Sequence, residues 1–124
     1  MQANLTTSRT EINDGLDAIV FQQALGGVPG GRTLDTSGIT ETAVKAGHII
    51  IVETATGNHK PLAITGGAYA TLPAGHSYVG VLRYSVPKSD PRAAIVTIGQ
   101  VNTKACPAPV TEAIKSGLPQ IKFV

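Results

Sequence analysis

The chain of 124 residues has one cysteine, no tryptophan and no long hydrophobic run. Because Cys106 has no second cysteine to pair with, an intrachain disulfide is excluded, and nothing indicates secretion into an oxidising compartment. The longest purely aliphatic run, residues 49–52, is far shorter than the roughly 20 residues that cross a bilayer. The first residues lack the basic and apolar segments of a signal peptide. We therefore expect a soluble protein made in a cytoplasm, with no membrane partner.

Charged residues are also scarce. They make up 15% of the chain, whereas a typical globular domain has about a quarter. The basic residues near the carboxyl end are scattered, and only Phe123 lies close to any of them, so the interleaved basic and aromatic residues of a nucleic-acid-binding surface are missing. The hydrophobic content of 42% is nevertheless that of a folded domain. We expect one domain with a weakly polar surface that packs against other subunits and binds no nucleic acid.

A glycine-rich segment, residues 26–33, has the glycine spacing of a phosphate-binding P-loop, with Arg32 where that loop has lysine. A P-loop is followed directly by a helix whose amides hold the phosphate. Residues 34–38 are turn-like instead, and Pro29 removes one of the amides that the loop would use. We interpret the segment as a hinge rather than as a nucleotide site.

The three histidines, His48, His59 and His76, lie 11 and 17 residues apart and lack the short spacings of metal ligands. If residues 48–64 form a tight hairpin, His48 and His59 lie near its open end, where a histidine pair is an alternative. Cys106 stands between alanine and proline, a setting more typical of a small buried hydrophobic residue than of a nucleophile. We expect no catalytic residue, no metal ligand and no cofactor.

Short β-branched segments separated by glycine and proline turns predict a mainly β fold with one short helix. We expect a small barrel-like β domain with an extended N-terminal arm. The domain division is an arm over residues 1–25, a glycine-rich hinge over 26–38 and a β-rich domain over 39–124. The predicted elements are a strand or short helix at 18–25, a hairpin at 48–53 and 59–64 with Pro61 on a sheet edge, a second hairpin at 78–86 and 93–101, a helix at 110–116 and a closing strand at 120–124.

The strand predicted over residues 78–86 alternates in hydrophobicity. A regular strand places Tyr78, Leu82 and Tyr84 on one face, because side chains two residues apart point to the same side. This face belongs to the core or to a subunit interface. We take Tyr78, Leu82, Tyr84 and Phe123 as candidate interface residues.

Four segments, in their order and spacing, resemble tailed-phage head decoration and head fiber proteins, especially those of phages infecting Bacteroides-like hosts. The resemblance to the lambda-like decoration fold is looser. The segments are residues 31–35 (GRTLD), 45–51 (KAGHIII), 72–82 (LPAGHSYVGVL) and 92–102 (RAAIVTIGQVN). The similarity covers about residues 26–124.

This resemblance implies a structural virion protein on the outer face of an assembled capsid. Such proteins form homotrimers that cement neighbouring major capsid subunits or serve as the base of a head fiber, so the major capsid protein, a second copy and other head fiber proteins are the expected partners. No catalysis is expected. The arm would bind the capsid, and its apolar residues are the candidate contacts: Leu5, Ile12, Leu16, Ile19 and Phe21.

Two other classes remain open at the level of the sequence. One is a small β-barrel adaptor or carbohydrate-binding module, which usually presents an aromatic platform; only Tyr69, Tyr78 and Tyr84 are available for it. The other is a β-domain enzyme whose histidine and glutamate residues are brought together by the fold.

Overall fold

The computed structural model describes residues 17–124. The strands are β1 Phe21–Gly27, β2 Arg32–Thr33, β3 Ala43–Val44, β4 Ile49–Glu53, β5 His59–Pro61, β6 Ile64–Thr65, β7 Ala68–Tyr69, β8 His76–Leu82, β9 Val86–Pro87, β10 Arg92–Ala93, β11 Ile95–Val101 and β12 Ile121–Phe123. The helical segments are α1 Asp17–Val20, a 3₁₀ helix Thr103–Ala105 and α2 Glu112–Gly117.

A six-stranded sheet organises the fold. Its strand order is β1-β11-β8-β4-β5, with β12 added parallel to β11 and every other pair antiparallel. Three two-stranded sheets surround it: β2 with β10, β3 with β9, and β6 with β7. The prediction of a mainly β fold with one short helix is confirmed. The main sheet runs from β1 at one edge to β5 at the other, so residues 17–124 form no closed barrel.

Strand β4 lies between β8 and β5 in the main sheet, and its residues 49–51 are buried on both faces, which explains their unbroken aliphatic sequence. Ile49 and Ile51 pack into a core on one face, together with Ile114 of α2; this is the helix-side core. Ile50 packs into a second core on the other face with Leu34 and other residues from the small sheets; this is the loop-side core. The domain therefore has three layers, with the main sheet between two apolar clusters.

A bulge in β8 overturns the predicted alternation of this strand. Ile50 of β4 pairs with Gly80 and Ile51 pairs with Tyr78, so Val79 is an extra residue in β8. The extra residue shifts the side chains by one position. Tyr78 and Val81 consequently face the helix-side core, while Val79 and Leu82 face the loop-side core. The prediction that Tyr78 and Leu82 share a face is wrong for this reason.

The helix α2 begins two residues later than predicted, because Thr111 is its N-cap. The Thr111 hydroxyl accepts a hydrogen bond from the Ile114 amide at 3.4 Å, which satisfies a donor that the first turn cannot use internally. Ile114 is fully buried in the helix-side core. Gly117 lies against the Tyr78 ring so closely that a Cβ on it would overlap the ring. The helix thus covers one end of β8.

The structure places residues 21–25, predicted as part of the arm, in the main sheet. β1 continues through Gly26 and Gly27, and it pairs with β11 from Phe21 to Gly27. Glycine at position 27 permits this, because an added Cβ would lie only 2.5 Å from the Ile95 carbonyl oxygen. The predicted arm residues Leu5, Ile12 and Leu16 lie outside the described part of the chain.

The predicted hinge is held to the domain at several points. The Gly31 amide donates to the Val28 carbonyl at 3.2 Å, which closes a tight turn after β1. β2 then pairs with β10, and Leu34 is buried in the loop-side core. The P-loop interpretation fails here as expected, because residues 32–33 form a strand where that loop needs a helix.

Candidate functional site

The first hairpin separates His48 from His59. Val52 pairs with His59 next to the turn, whereas His48 precedes β4 at the open end. The predicted histidine pair is therefore not formed: the pairing register puts the two residues at opposite ends of the hairpin. Of the described residues, no three histidine, cysteine, aspartate or glutamate side chains lie close enough together to hold a metal ion.

His48 is a buried structural histidine at the edge of the helix-side core. Its Nε2 lies 2.6 Å from the Leu62 carbonyl oxygen, and because a carbonyl can only accept, Nε2 carries the proton. The ring stacks edge-on against Tyr69 at 5.5 Å between centroids. The Tyr69 hydroxyl in turn accepts from the Ile49 amide at 3.2 Å. These contacts join the start of β4 to β7 and to the residue that follows β5.

Burial lowers the pKa of His48, and the hydrogen bond to Leu62 offsets only part of this effect. A charged imidazolium would lose its hydration shell in this position. His48 is therefore neutral at pH 7 and lines one side of a cleft of about 370 Å³, together with Glu41, Lys45 and Thr65. Its ring proton is already used on Leu62, so it stabilises the fold rather than acting as a general acid.

We expect this histidine to make stability depend on pH. The folded pKa of His48 lies below the ordinary value of 6.5, so the unfolded chain takes up a proton first as the pH falls. The free energy of unfolding, measured in urea, should be lower at pH values below 6.5 than at pH 7.5. His48→Gln should flatten this dependence, and the matched variant His59→Gln, at the turn end of the hairpin, should keep it. An unchanged pH profile in His48→Gln would contradict this role.

Cys106 is also structural. It is half-buried, and burial raises the pKa of its thiol to about 11, so the thiolate needed for nucleophilic attack is scarce at neutral pH. The thiol lies 3.5 Å from the Asn102 carbonyl oxygen, to which it donates a weak hydrogen bond. This agrees with the interpretation of Cys106 as a small packed residue.

Exposed large apolar side chains lie in β1 and in segments that adjoin it along the chain or in the sheet. Among residues 17–124, five large hydrophobic side chains are exposed: Ile19, Leu25, Tyr84, Ile98 and Val124. We call these five residues, together with β1 itself, the β1 surface. Exposed large apolar side chains on neighbouring segments of a domain favour contact with another protein.

Four of the five residues lie in β1 or in segments connected to it by the chain or by the sheet. Ile19 lies in α1, directly before the strand, and Leu25 lies in the strand and is 67% exposed. Ile98 is paired with Gly26, and its side chain lies against that glycine. The Val124 amide donates to the carbonyl of Val101, the residue of β11 that pairs with Phe21.

Tyr84 reaches the β1 surface through a cation–π stack. The Arg83 guanidinium carbon lies 5.5 Å from the centre of the Phe21 ring and 5.2 Å from that of the Tyr84 ring. Each contact of this kind stabilises by about 0.5–1 kcal/mol at an exposed site. The stack holds the exposed Tyr84 ring beside the first residue of β1.

The structure separates the four predicted interface residues. Leu82 is fully buried in the loop-side core, so it is unavailable to another subunit. Tyr78 and Phe123 are half-buried against the helix-side core. Tyr84 alone of the four is exposed, at 55%. Phe21, predicted as an arm contact, is half-buried in the stack, and Ile19 is exposed.

The two edges of the main sheet differ in chemistry. The outer edge of β1 pairs with no other strand in residues 17–124, and its sequence, FQQALGG, contains neither a charge nor a proline. At the opposite edge, β5 contains Lys60 and Pro61, and Leu34 forms a parallel bridge with His59. Lysine, proline and a covering segment are the devices with which proteins keep an edge from pairing with another chain. One edge has them, and the other is open.

No helix in the described part of the chain is long and apolar enough to cross a membrane. The candidate site in residues 17–124 is the β1 surface, which combines exposed apolar side chains with an open strand edge. Comparison of the chain with protein-family models, with curated proteins and with solved structures finds no match in any of the three.

Proposed function

We propose that this chain is a structural virion protein that decorates the outer surface of a tailed-phage capsid as a homotrimer. In this function it contacts the major capsid protein, and it either cements neighbouring capsid subunits or forms the base of a head fiber, with other head fiber proteins as further partners. It is made in the host cytoplasm and resides on the capsid exterior. The observation that carries the proposal is the β1 surface, because exposed apolar side chains beside an open strand edge favour contact with other protein chains.

The position of this surface in the chain supports the proposal. Residues 1–16 lead directly into α1 and β1. Capsid contacts made by Leu5, Ile12 and Leu16 would therefore continue into those made by Ile19. A trimer that engages three capsid sites at once gains affinity through avidity, so that each single contact can be modest. Tyr84 is the interface candidate that remains exposed for contacts between subunits.

The test is decoration of expanded capsid shells, measured by co-sedimentation. A truncation that removes residues 1–16 leaves α1 and β1 intact, whereas a cut at residue 25 would remove most of β1 and the fully buried Val20. The full chain should sediment with the shells. The truncated chain should keep its thermal unfolding midpoint but bind at least roughly tenfold more weakly, a loss of about 1.4 kcal/mol. Normal decoration by the truncated chain would refute the assignment of the arm, and absence of decoration by the full chain would refute the function.

The carbohydrate-binding alternative gains no support from the aromatic residues. Tyr69 is buried with its hydroxyl bonded to the Ile49 amide, and Tyr78 packs between β8 and α2. Tyr84 is the one exposed tyrosine, and its ring is stacked on Arg83. A single ring does not make the platform on which such modules bind sugars.

A further inference from the structure

The open edge of β1 has a sequence that suits pairing with itself. From Phe21 to Gln23 the side chains are large, and from Gly26 to Gly27 they are absent. In an antiparallel pair centred on Ala24, Phe21 of one copy would face Gly27 of the other, and Gln22 would face Gly26. The bulky half of each strand thus meets the small half of its partner.

Charge favours the same arrangement. Like charges directly opposite each other destabilise a strand pair, and β1 contains no charged residue in its seven positions. Every residue from Gln22 to Leu25 is exposed, so no side chain of the described chain covers this stretch. Of the usual protections of an edge, β1 has only three register shifts against β11, which follow Phe21, Ala24 and Gly26.

We infer that β1 pairs with β1 of a second copy of this chain, antiparallel, about a two-fold axis that passes beside Ala24. The two main sheets then continue into each other, with the exposed side chains of Leu25 from both copies close to the axis. A two-fold contact is isologous, since the same surface serves both partners. It cannot build a three-fold ring, so in the proposed trimer it joins subunits of neighbouring trimers. The inference does not depend on the capsid and is tested on the free protein.

Cysteine cross-linking tests the register. Ala24→Cys places two thiols opposite each other, with Cα atoms about 4.5–5.5 Å apart in either type of antiparallel pair, within the range of a disulfide. Oxidised glutathione takes up the two electrons, and each disulfide formed releases two molecules of reduced glutathione. We expect Ala24→Cys to form a covalent dimer, and an equal mixture of Gln22→Cys and Gly26→Cys to form one that neither variant forms alone.

The controls are the wild-type chain, which keeps Cys106, and Ala55→Cys, at an exposed position in the turn between β4 and β5. Neither should dimerise, because the Cys106 thiol is half-buried and Ala55 lies far along the sheet from β1. Absence of the Ala24→Cys dimer would overturn the inference. The inference would also be overturned if Gln22→Cys alone, or Ala55→Cys, gave as much dimer as Ala24→Cys, because the disulfide would then form by random collision.

A charge variant provides a second readout that needs no new thiol. Ala24→Asp places two carboxylates opposite each other at the axis, while Ala55→Asp adds the same charge to the remote turn. In concentrated solution, light scattering should show loss of the β1 contact in Ala24→Asp and no loss in Ala55→Asp, with both variants retaining the wild-type unfolding midpoint. If Ala24→Asp still forms trimers, the proposed function is unaffected. If the wild-type chain forms trimers and no larger species in concentrated solution, only the β1 pair is overturned.

Discussion

Replacing Gly80 by alanine is expected to destabilise the protein by about 2–3 kcal/mol, the upper part of the range for overpacking a core. Gly80 lies in β8 opposite β11, and an added Cβ would overlap the Val96 carbonyl oxygen and lie 2.9 Å from Cγ2 of Ile95. The obstacle is backbone, so it cannot turn aside as a long side chain would. The two strands would have to separate at the centre of the main sheet.

The matched control is Gly38→Ala, because nothing lies within 4 Å of a Cβ at that position. This variant should change the free energy of unfolding by less than about 0.5 kcal/mol. Urea unfolding of both variants measures the difference. If Gly80→Ala were as mild as Gly38→Ala, β8 and β11 would not approach as closely as described.

The second large effect separates Leu82 from Leu25, two leucines whose burial differs although hydrophobicity does not distinguish them. Leu82→Ala should cost about 3 kcal/mol, because Leu82 is fully buried and its removal leaves a cavity in the loop-side core. Leu25→Ala should cost less than about 0.5 kcal/mol, since Leu25 is exposed. Urea unfolding midpoints of the two variants measure these losses of stability.

The same two variants should affect self-association in the opposite order. Leu25→Ala should weaken the contact between copies, because Leu25 lies beside the proposed axis, while folded Leu82→Ala should associate as the wild type does. A stable Leu82→Ala variant that has lost its association would place Leu82 in a subunit interface and contradict its burial in the loop-side core.

Local signals in the sequence predicted most of the fold. The turn residues at 54–58 and the β-branched run before them indicated the β4–β5 hairpin, and Pro61 indicated its edge position. The helix predicted at 110–116 corresponds to α2. The hairpin and the helix depend on residues that are close together in the chain, so local sequence patterns are enough to predict them.

Features that depend on distant strands were not predictable. The bulge at Val79 arises from the pairing of β8 with β4, and the alternation of the sequence contains no sign of it. The pair Gly26 and Gly27 indicated a break in the chain, although the structure uses the glycines to bring β1 close to β11. The parallel pairing of β12 with β11 likewise joins residues that no local pattern relates.

The candidate site was predicted only in part. Ile19, Phe21 and Tyr84 were identified as contact residues, and all three belong to the β1 surface or to the stack beside it. Leu25 was missed, because hydrophobicity alone does not separate an exposed leucine from a buried one. The absence of charge and proline across 21–27 was the available signal, and its meaning became clear only when β1 was found at an edge.

If this chain functions as an assembled subunit, its mass in solution must exceed that of one chain. Light scattering after size exclusion, across roughly a hundredfold range of concentration, separates a monomer from an assembly because association follows mass action. We expect a species of three times 12.7 kDa that persists on dilution, with larger species only in concentrated samples. A mass of 12.7 kDa at every concentration would contradict it.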